Sequence, residues 1–210
     1  MSHLRIKRKP RCPGCGLPPA GCACALFPCL RFRTPIAIVQ HVRERHKPTN
    51  TGKLLARMVE GTPILPWGMR EPAFDPAPLA DPTIAWHLLF PRDGAPVLDA
   101  AGPIAEGKRI GFVLLDGSWH QCSHIHRRLP AVSTLPCVAL PPGPRSFWTV
   151  RTQHDEEGRS TFDAALQALE LLEGRDAVAP LRRAFAEVTA RQLHLKGKLR
   201  SPEIPASWSV

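Results

Sequence analysis

Apolar positions along the chain follow two spacings. Short continuous runs occur at Pro35–Gln40 (PIAIVQ), Ile84–Phe90 (IAWHLLF), Ile110–Leu115 (IGFVLL) and Thr134–Leu140 (TLPCVAL). Runs of that length, closed by turn formers, predict buried strands. Phe147–Arg151 (FWTVR) predicts a further short one, and Trp86 and His87 read as core or edge residues. Elsewhere the apolar residues recur every three to four positions, the helical spacing. Leu54, Leu55, Met58 and Val59 follow Pro48 and a cap from Thr49 or Asn50. Ile125 and Leu129 mark the inner face of a helix over His120–Leu129. Phe162, Ala165, Leu166, Leu169 and Leu172 follow Ser160, with Asp163 at the third helical position. Val178, Leu181, Phe185, Val188 and Leu193 stripe a last helix from about Asp176 to Leu195. Gly61–Thr83, with six prolines, predicts an irregular surface connection. Pro91–Gly107 reads as loop apart from Val97-Leu98, His154–Arg159 as a polar turn, and the tail from Lys196 as loosely held. Alternating strands and helices predict an α/β fold, a mostly parallel sheet with helices on both faces.

The most informative stretch is Ile110–Cys122, IGFVLLDGSWHQC. In open α/β sheets ligands sit outside the carboxyl ends of the strands. Asp116 falls at such an end. Gly117 allows a tight turn, and Ser118 can cap a helix starting at Trp119. One acid, one glycine, one hydroxyl and one indole therefore meet at a strand-to-helix corner.

A chain of 210 residues suggests one domain with a small appendage. Residues 1–33 form a basic arm and knuckle, 34–200 the α/β domain, and 201–210 a tail. Residues 1–60 hold twelve Lys/Arg against two Asp/Glu, while residues 61–210 hold sixteen of each. The whole surplus of +10 thus sits in the first 60 residues, around Arg5, Lys7, Arg8, Lys9, Arg11, Arg31 and Arg33 and the His41–Lys47 loop. Concentrated cations point to a polyanion partner. A membrane partner would need an amphipathic anchor, and none is visible. The basic N-terminus lacks the apolar core of a signal peptide, so a cytoplasmic location is expected. No protein partner is evident. A basic loop entering a helix N-terminus suits phosphate, which makes His41, Arg43, Arg45, Lys47 and Asn50 the RNA-facing candidates.

Five of the seven cysteines lie within Cys12–Cys29. Cys12, Cys15, Cys22 and Cys24 form two close pairs on a Pro/Gly-rich stretch, the soft tetrahedral donor set that structural zinc takes. A redox pair or unliganded thiols are the other readings, and a reducing compartment favours metal over disulfide. Cys29 reads as a spare, Cys122 and Cys137 as small buried hydrophobes. His120 and His124 share a helix stripe with Arg127 and Arg128. No third ligand accompanies them, so the stripe reads as basic and RNA-facing, or solvated.

Four stretches resemble the DTW-domain family. The LDGSW segment is similar to its Asp-x-Thr-Trp signature, with Ser118 for threonine. The N-terminal cysteines follow the family's Cys-x2-Cys-x2-Pro-x3-Cys-x-Cys with Pro18 in place. His41, Glu44, Asn50 and Thr51 resemble its His-x2-Glu and Asn-Thr stretch. Val150-Arg151 and Ser160–Ala164 resemble its Leu-Arg and Ser-Thr-Leu-Glu-Ala, with Asp163 for glutamate. The resemblance implies a fold related to the SPOUT methyltransferases, with a C-terminal trefoil knot. It implies a tRNA-uridine aminocarboxypropyltransferase that uses S-adenosylmethionine. It implies a cofactor site among Leu114, Asp116, Gly117, Ser118, Leu140, Arg151, Ser160 and Thr161, with Arg151 facing the cofactor's carboxylate. Asp116 and Trp119 are the catalytic candidates. Asp116 serves either as proton acceptor or as orienting charge; Trp119 either stacks on a base or simply packs. The rival readings are a SPOUT-like RNA methyltransferase and a zinc-containing RNA-binding module without chemistry.

Overall fold

The computed structural model describes residues 10–143, 146, 148–151, 158–208 and 210. Arg5, Lys7, Arg8 and Lys9 of the basic arm, Phe147, and most of the turn expected at His154–Arg159 lie outside them. The apolar runs form β1 (Ile36–His41), β3 (Ile84–Leu89) and β4 (Arg109–Asp116). With β2 (Ile64–Trp67) and β5 (Cys137–Val138) they build one five-stranded sheet of order β2-β1-β4-β3-β5. Every pairing is parallel.

The period of two along each strand sorts side chains to opposite faces. Ile36, Ile38, Phe112 and Leu114 join the cluster containing α1 (Thr51–Met58), α4 (Thr161–Glu173) and α5 (Arg175–Leu195). Ala37, Val39, Val113 and Leu115 join a second cluster with α2 (Trp119–Arg128) and α3 (Pro130–Ser133). Helices therefore cover both faces. Phe162 and Phe185 stack at 4.1 Å between ring centres, and Trp148 lies on the same ring system.

Four expectations need correction. The Gly61–Thr83 connection contains β2, which pairs with β1. Its Pro66 argues against a central strand, but β2 is a sheet edge, where a missing N–H costs little. The Thr134–Leu140 strand shrinks to Cys137–Val138, because Pro130 starts α3 and Pro136 and Pro141 limit the ladder. Thr149 and Val150 form a turn, not a strand; the Trp148 and Val150 side chains are buried in the core. The tail from Lys196 is not loose. Leu199 and Trp208 pack on the core, and Lys196 and Lys198 donate to the Val150 and Thr149 carbonyls.

The N-terminal knuckle is built into the domain. Cys15, Leu17 and Ala23 are buried in the same cluster as Leu54, Leu55 and Met58. Gly16 has φ +72°, and a Cβ there would lie 1.8 Å from the Pro48 carbonyl oxygen. Only glycine fits that contact.

Candidate functional site at the sheet's switch point

The connections leaving β1 and β4 pass to opposite faces, α1 on one side and α2 on the other. These neighbouring strands therefore bound the topological switch point, where open parallel sheets bind ligands. Their last paired residues are Gln40 and Asp116.

Asp116 is 4% exposed. Its Oδ2 accepts hydrogen bonds from Gln40 Nε2 at 2.9 Å and Asn50 Nδ2 at 2.6 Å. Its Oδ1 accepts one from Thr161 Oγ1 at 2.7 Å. One carboxylate thus fastens together β1, the start of α1 and the start of α4. Gly52 belongs to the arrangement, since a Cβ there would press within 3.0 Å of the Asp116 carboxyl carbon. Asn50 also caps α1, its Oδ1 accepting from Lys53 N at 2.8 Å.

The corner after β4 forms as its residues dictate. Ser118 and Gln121 make a reciprocal capping box at the start of α2. Gly117 makes room for it: a Cβ would lie 2.9 Å from the Gln121 Cβ. Trp119 is 46% exposed, with its ring 6.1 Å from Phe90. Ser160 caps α4 in the same manner, with Asp163 in the glutamate position. Burial pushes the Asp163 carboxyl up, against bonds from Ser146 and Ser160 that favour its charge. Asp163 is thus committed to the cap. Leu114 is buried on the α4–α5 side, and Leu140 is half-buried after β5.

A second buried carboxylate sits in the loop after β1. Glu44 is 1% exposed. Lys47 donates to its Oε1, and Arg151 Nη1 to its Oε2 at 2.9 Å. Burial works against the Glu44 charge, but the two cations outweigh it and hold the carboxyl below its ordinary value. Arg151 is also held by Thr49, its Nε donating to Oγ1 at 3.0 Å. Its Nη2 is buried and has no partner among the described residues. The adjacent residues Thr49 and Asn50 therefore connect the Arg151 and Asp116 clusters.

Among the RNA-facing candidates, Arg43 and Arg45 are exposed, while Lys47 is tied to Glu44. His41 is half-buried, accepts from Arg43 N, and lies 5.9 Å from the Trp67 ring. Burial, and then the Arg43 charge, push its imidazole below the ordinary value. Asn50 is buried with Asp116 and presents no surface.

The sulfurs of Cys12, Cys15, Cys22 and Cys24 lie within 4.8 Å of one another, with close approaches of 3.5 to 3.7 Å. Tetrahedral zinc with Zn–S bonds of about 2.3 Å sets its sulfurs about 3.8 Å apart, so the donor set fits the metal. Backbone N–H bonding, first from Cys15, lowers the Cys12 thiol to about 6, toward the thiolate a metal requires. Cys29 is exposed and stands apart; Cys122 is buried, and Cys137 is half-buried.

Gln40, Thr49 and Gly52 are site residues that sequence reasoning missed, and Glu44 entered only through the family's His-x2-Glu stretch, with no role assigned. Gln40 had a signal, a polar residue closing an otherwise apolar strand. Glu44 had one too, a single acid among five basic residues in His41–Lys47.

Fold and site together define a parallel α/β protein with a polar crevice at its switch point and a four-thiol knuckle packed against it. The chain belongs to the DTW-domain family, whose model matches residues 9–193. It is 30% identical over 178 residues to tRNA-uridine aminocarboxypropyltransferase 2 of Drosophila melanogaster, covering 80% of this chain and 68% of the relative. No solved structure matches.

Proposed function

We propose that the protein transfers the 3-amino-3-carboxypropyl group of S-adenosylmethionine to N3 of a tRNA uridine. One observation carries the reading: two charged stations of opposite sign are fixed by neighbouring residues, Asp116 through Asn50 and Arg151 through Thr49. The methionine arm of the co-substrate carries an ammonium, a sulfonium and a carboxylate, and the stations complement it. Family membership and the name of the fly relative support the same assignment.

Arg151 takes the carboxylate through its unpartnered Nη2, a charge-assisted bond whose geometry Glu44 and Thr49 fix in advance. Asp116 supplies negative charge beside the cationic part. A carboxylate offers about four acceptor positions, and three neutral donors already occupy three of them, so we assign Asp116 the orienting role and not proton uptake. Gly117, Ser118, Leu114, Leu140, Ser160 and Thr161 form the surrounding walls. Bound there, the sulfonium provides an activated carbon: N3 attacks it, the C–S bond breaks toward sulfur, 5′-methylthioadenosine leaves, and the imide proton passes to water. Holding that carbon near N3 and the methyl away from it is catalysis by orientation. Trp119 offers an exposed ring on which the uracil stacks.

Cys12, Cys15, Cys22 and Cys24 hold one structural Zn²⁺, and His41, Arg43, Arg45 and Lys47 face the tRNA. Asn50 serves the tRNA only indirectly, by fixing that loop. The SPOUT relationship and its C-terminal trefoil knot belong to this reading, as does a cytoplasmic location; among the described residues no helix is long and apolar enough to cross a membrane.

The test is incubation of the zinc-loaded protein with S-adenosylmethionine and unmodified tRNA, followed by nucleoside mass spectrometry. Aminocarboxypropyl-uridine with stoichiometric 5′-methylthioadenosine is expected. A methyl adduct with S-adenosylhomocysteine would instead make the protein a methyltransferase. RNA binding with no calorimetric signal for S-adenosylmethionine would make it a binding module.

A further inference from the structure

Beyond Trp119, the exposed side of α2 is not used by the site described above. It carries His120, His124, Arg127 and Arg128 along one surface groove, and α2 contains no acidic residue. No ion pair among the described residues engages any of the four. The helix dipole favours cations in the last turn, which accounts for Arg127 and Arg128 but not for His120 in the first. Aromatic rings flank the stripe. The His124 ring meets Trp67 edge-on at 5.3 Å, and on the other side Phe90 lies 5.3 Å from His126 and 6.1 Å from Trp119. Because α2 begins at Trp119, the stripe runs straight out of the switch-point corner.

Resting on the proposed uridine-N3 activity, we propose that this α2 face docks an unpaired RNA loop, with Arg127, Arg128 and His120 on phosphates and Trp67 and Trp119 against bases. N3 lies on the Watson–Crick edge of uracil, where a duplex partner would cover it. The substrate nucleotide must therefore be unpaired, and its neighbours are splayed bases that need stacking faces. Cations interleaved with the exposed Trp119 ring and the half-buried Trp67 ring are what such a strand requires, and a duplex would have no use for the rings.

The test measures fluorescence anisotropy of the zinc-loaded protein against salt. The ligands are a hairpin with uridines in its loop and a fully paired duplex of equal length. Tighter binding of the hairpin is expected. For Arg127→Gln with Arg128→Gln, the log–log salt slope should fall by about 1.5, at about 0.7–0.9 per lost phosphate, with more than about tenfold weaker binding at 0.1 M salt. Arg127→Lys with Arg128→Lys should keep the slope, since phosphate accepts a point charge. His120→Glu gives a second reading: an acid in the first turn suits the helix dipole, so thermal stability holds while hairpin affinity drops. Wild-type slopes in both charge-removing variants, or duplex binding equal to the hairpin's, overturn the proposal. Release of 5′-methylthioadenosine is scored separately, so a protein that docks the hairpin yet releases none refutes the activity and not the surface.

Discussion

Two buried carboxylates stand at the carboxyl edge of the sheet, and their surroundings differ in sign. Asp116 is surrounded by an amide from Gln40, an amide from Asn50 and a hydroxyl from Thr161, all neutral. Its cluster keeps a net negative charge. Glu44 is surrounded by two cations, Lys47 and Arg151, so its cluster is net positive. Burial alone would make either acid expensive. What differs is how the cost is offset: dipoles preserve the charge for a ligand to feel, whereas counter-ions cancel it and pass the surplus to Arg151. A loop of a few residues thereby separates an anionic from a cationic station.

Removing the Asp116 carboxylate should have the largest effect. Asp116→Ala leaves three buried donors without an acceptor, each costing about 1–3 kcal/mol, so urea unfolding should show a loss of at least about 3 kcal/mol. Asp116→Asn tests the charge. Its amide oxygen can face Gln40 and Asn50, and its NH₂ can face the Thr161 oxygen, so stability should fall by only about 1–2 kcal/mol. Single-turnover rate should still fall about a hundredfold or more, the usual loss for a preorganised electrostatic group. A wild-type rate in Asp116→Asn would reduce Asp116 to a structural tie.

Glu44→Gln attacks the other station. Arg151 loses its ionic anchor, and S-adenosylhomocysteine should bind about tenfold more weakly, equivalent to about 1.4 kcal/mol. Binding of 5′-methylthioadenosine, which has no carboxylate, should not change. Equal weakening of both ligands would mean that Glu44 shapes the crevice generally and does not position Arg151. Glu44 also shapes the response to acid. Glu44 titrates lower in the folded chain than its ordinary value of 4.5. Its contribution is full above that value and is lost as pH falls through the folded value, because the unfolded chain takes up the proton first. Stability measured from pH 6 downward should therefore drop more steeply in the wild type than in Glu44→Gln. The smallest expected effect is that of Thr49→Val. It removes the bond to Arg151 Nε, worth about 1 kcal/mol, and should lower S-adenosylhomocysteine affinity several-fold with little change in melting.

Local signals in the sequence were readable, and distant partnerships were not. Asn50, Ser118 and Ser160 were readable as caps of α1, α2 and α4 because a cap depends on four consecutive positions. The strand runs at β1, β3 and β4 were clear for the same reason. Pro66 hid β2, since nothing local says that a strand will lie at an edge. Asp116 stood out at its strand end, but its donors lie 76, 66 and 45 residues away. Asn50 therefore looked like a surface residue on a basic loop. Arg151 came from a family resemblance, and its anchor Glu44, 107 residues distant, could not be paired with it by any spacing rule.

Arg191 of α5 donates to the Gly21 and Cys22 carbonyls, at 3.3 Å each. In terms of synthesis, the knuckle leaves the ribosome well before the helix that closes it. The four thiols span only thirteen residues, so the knuckle has its complete donor set while most of the chain is unmade. Its apolar residues Cys15, Leu17 and Ala23, however, have no finished core to enter until residues 161–195 arrive. Completion of the donor set is thus an early, local event and docking a late, global one. During the interval between them a growing chain exposes the underside of its own knuckle.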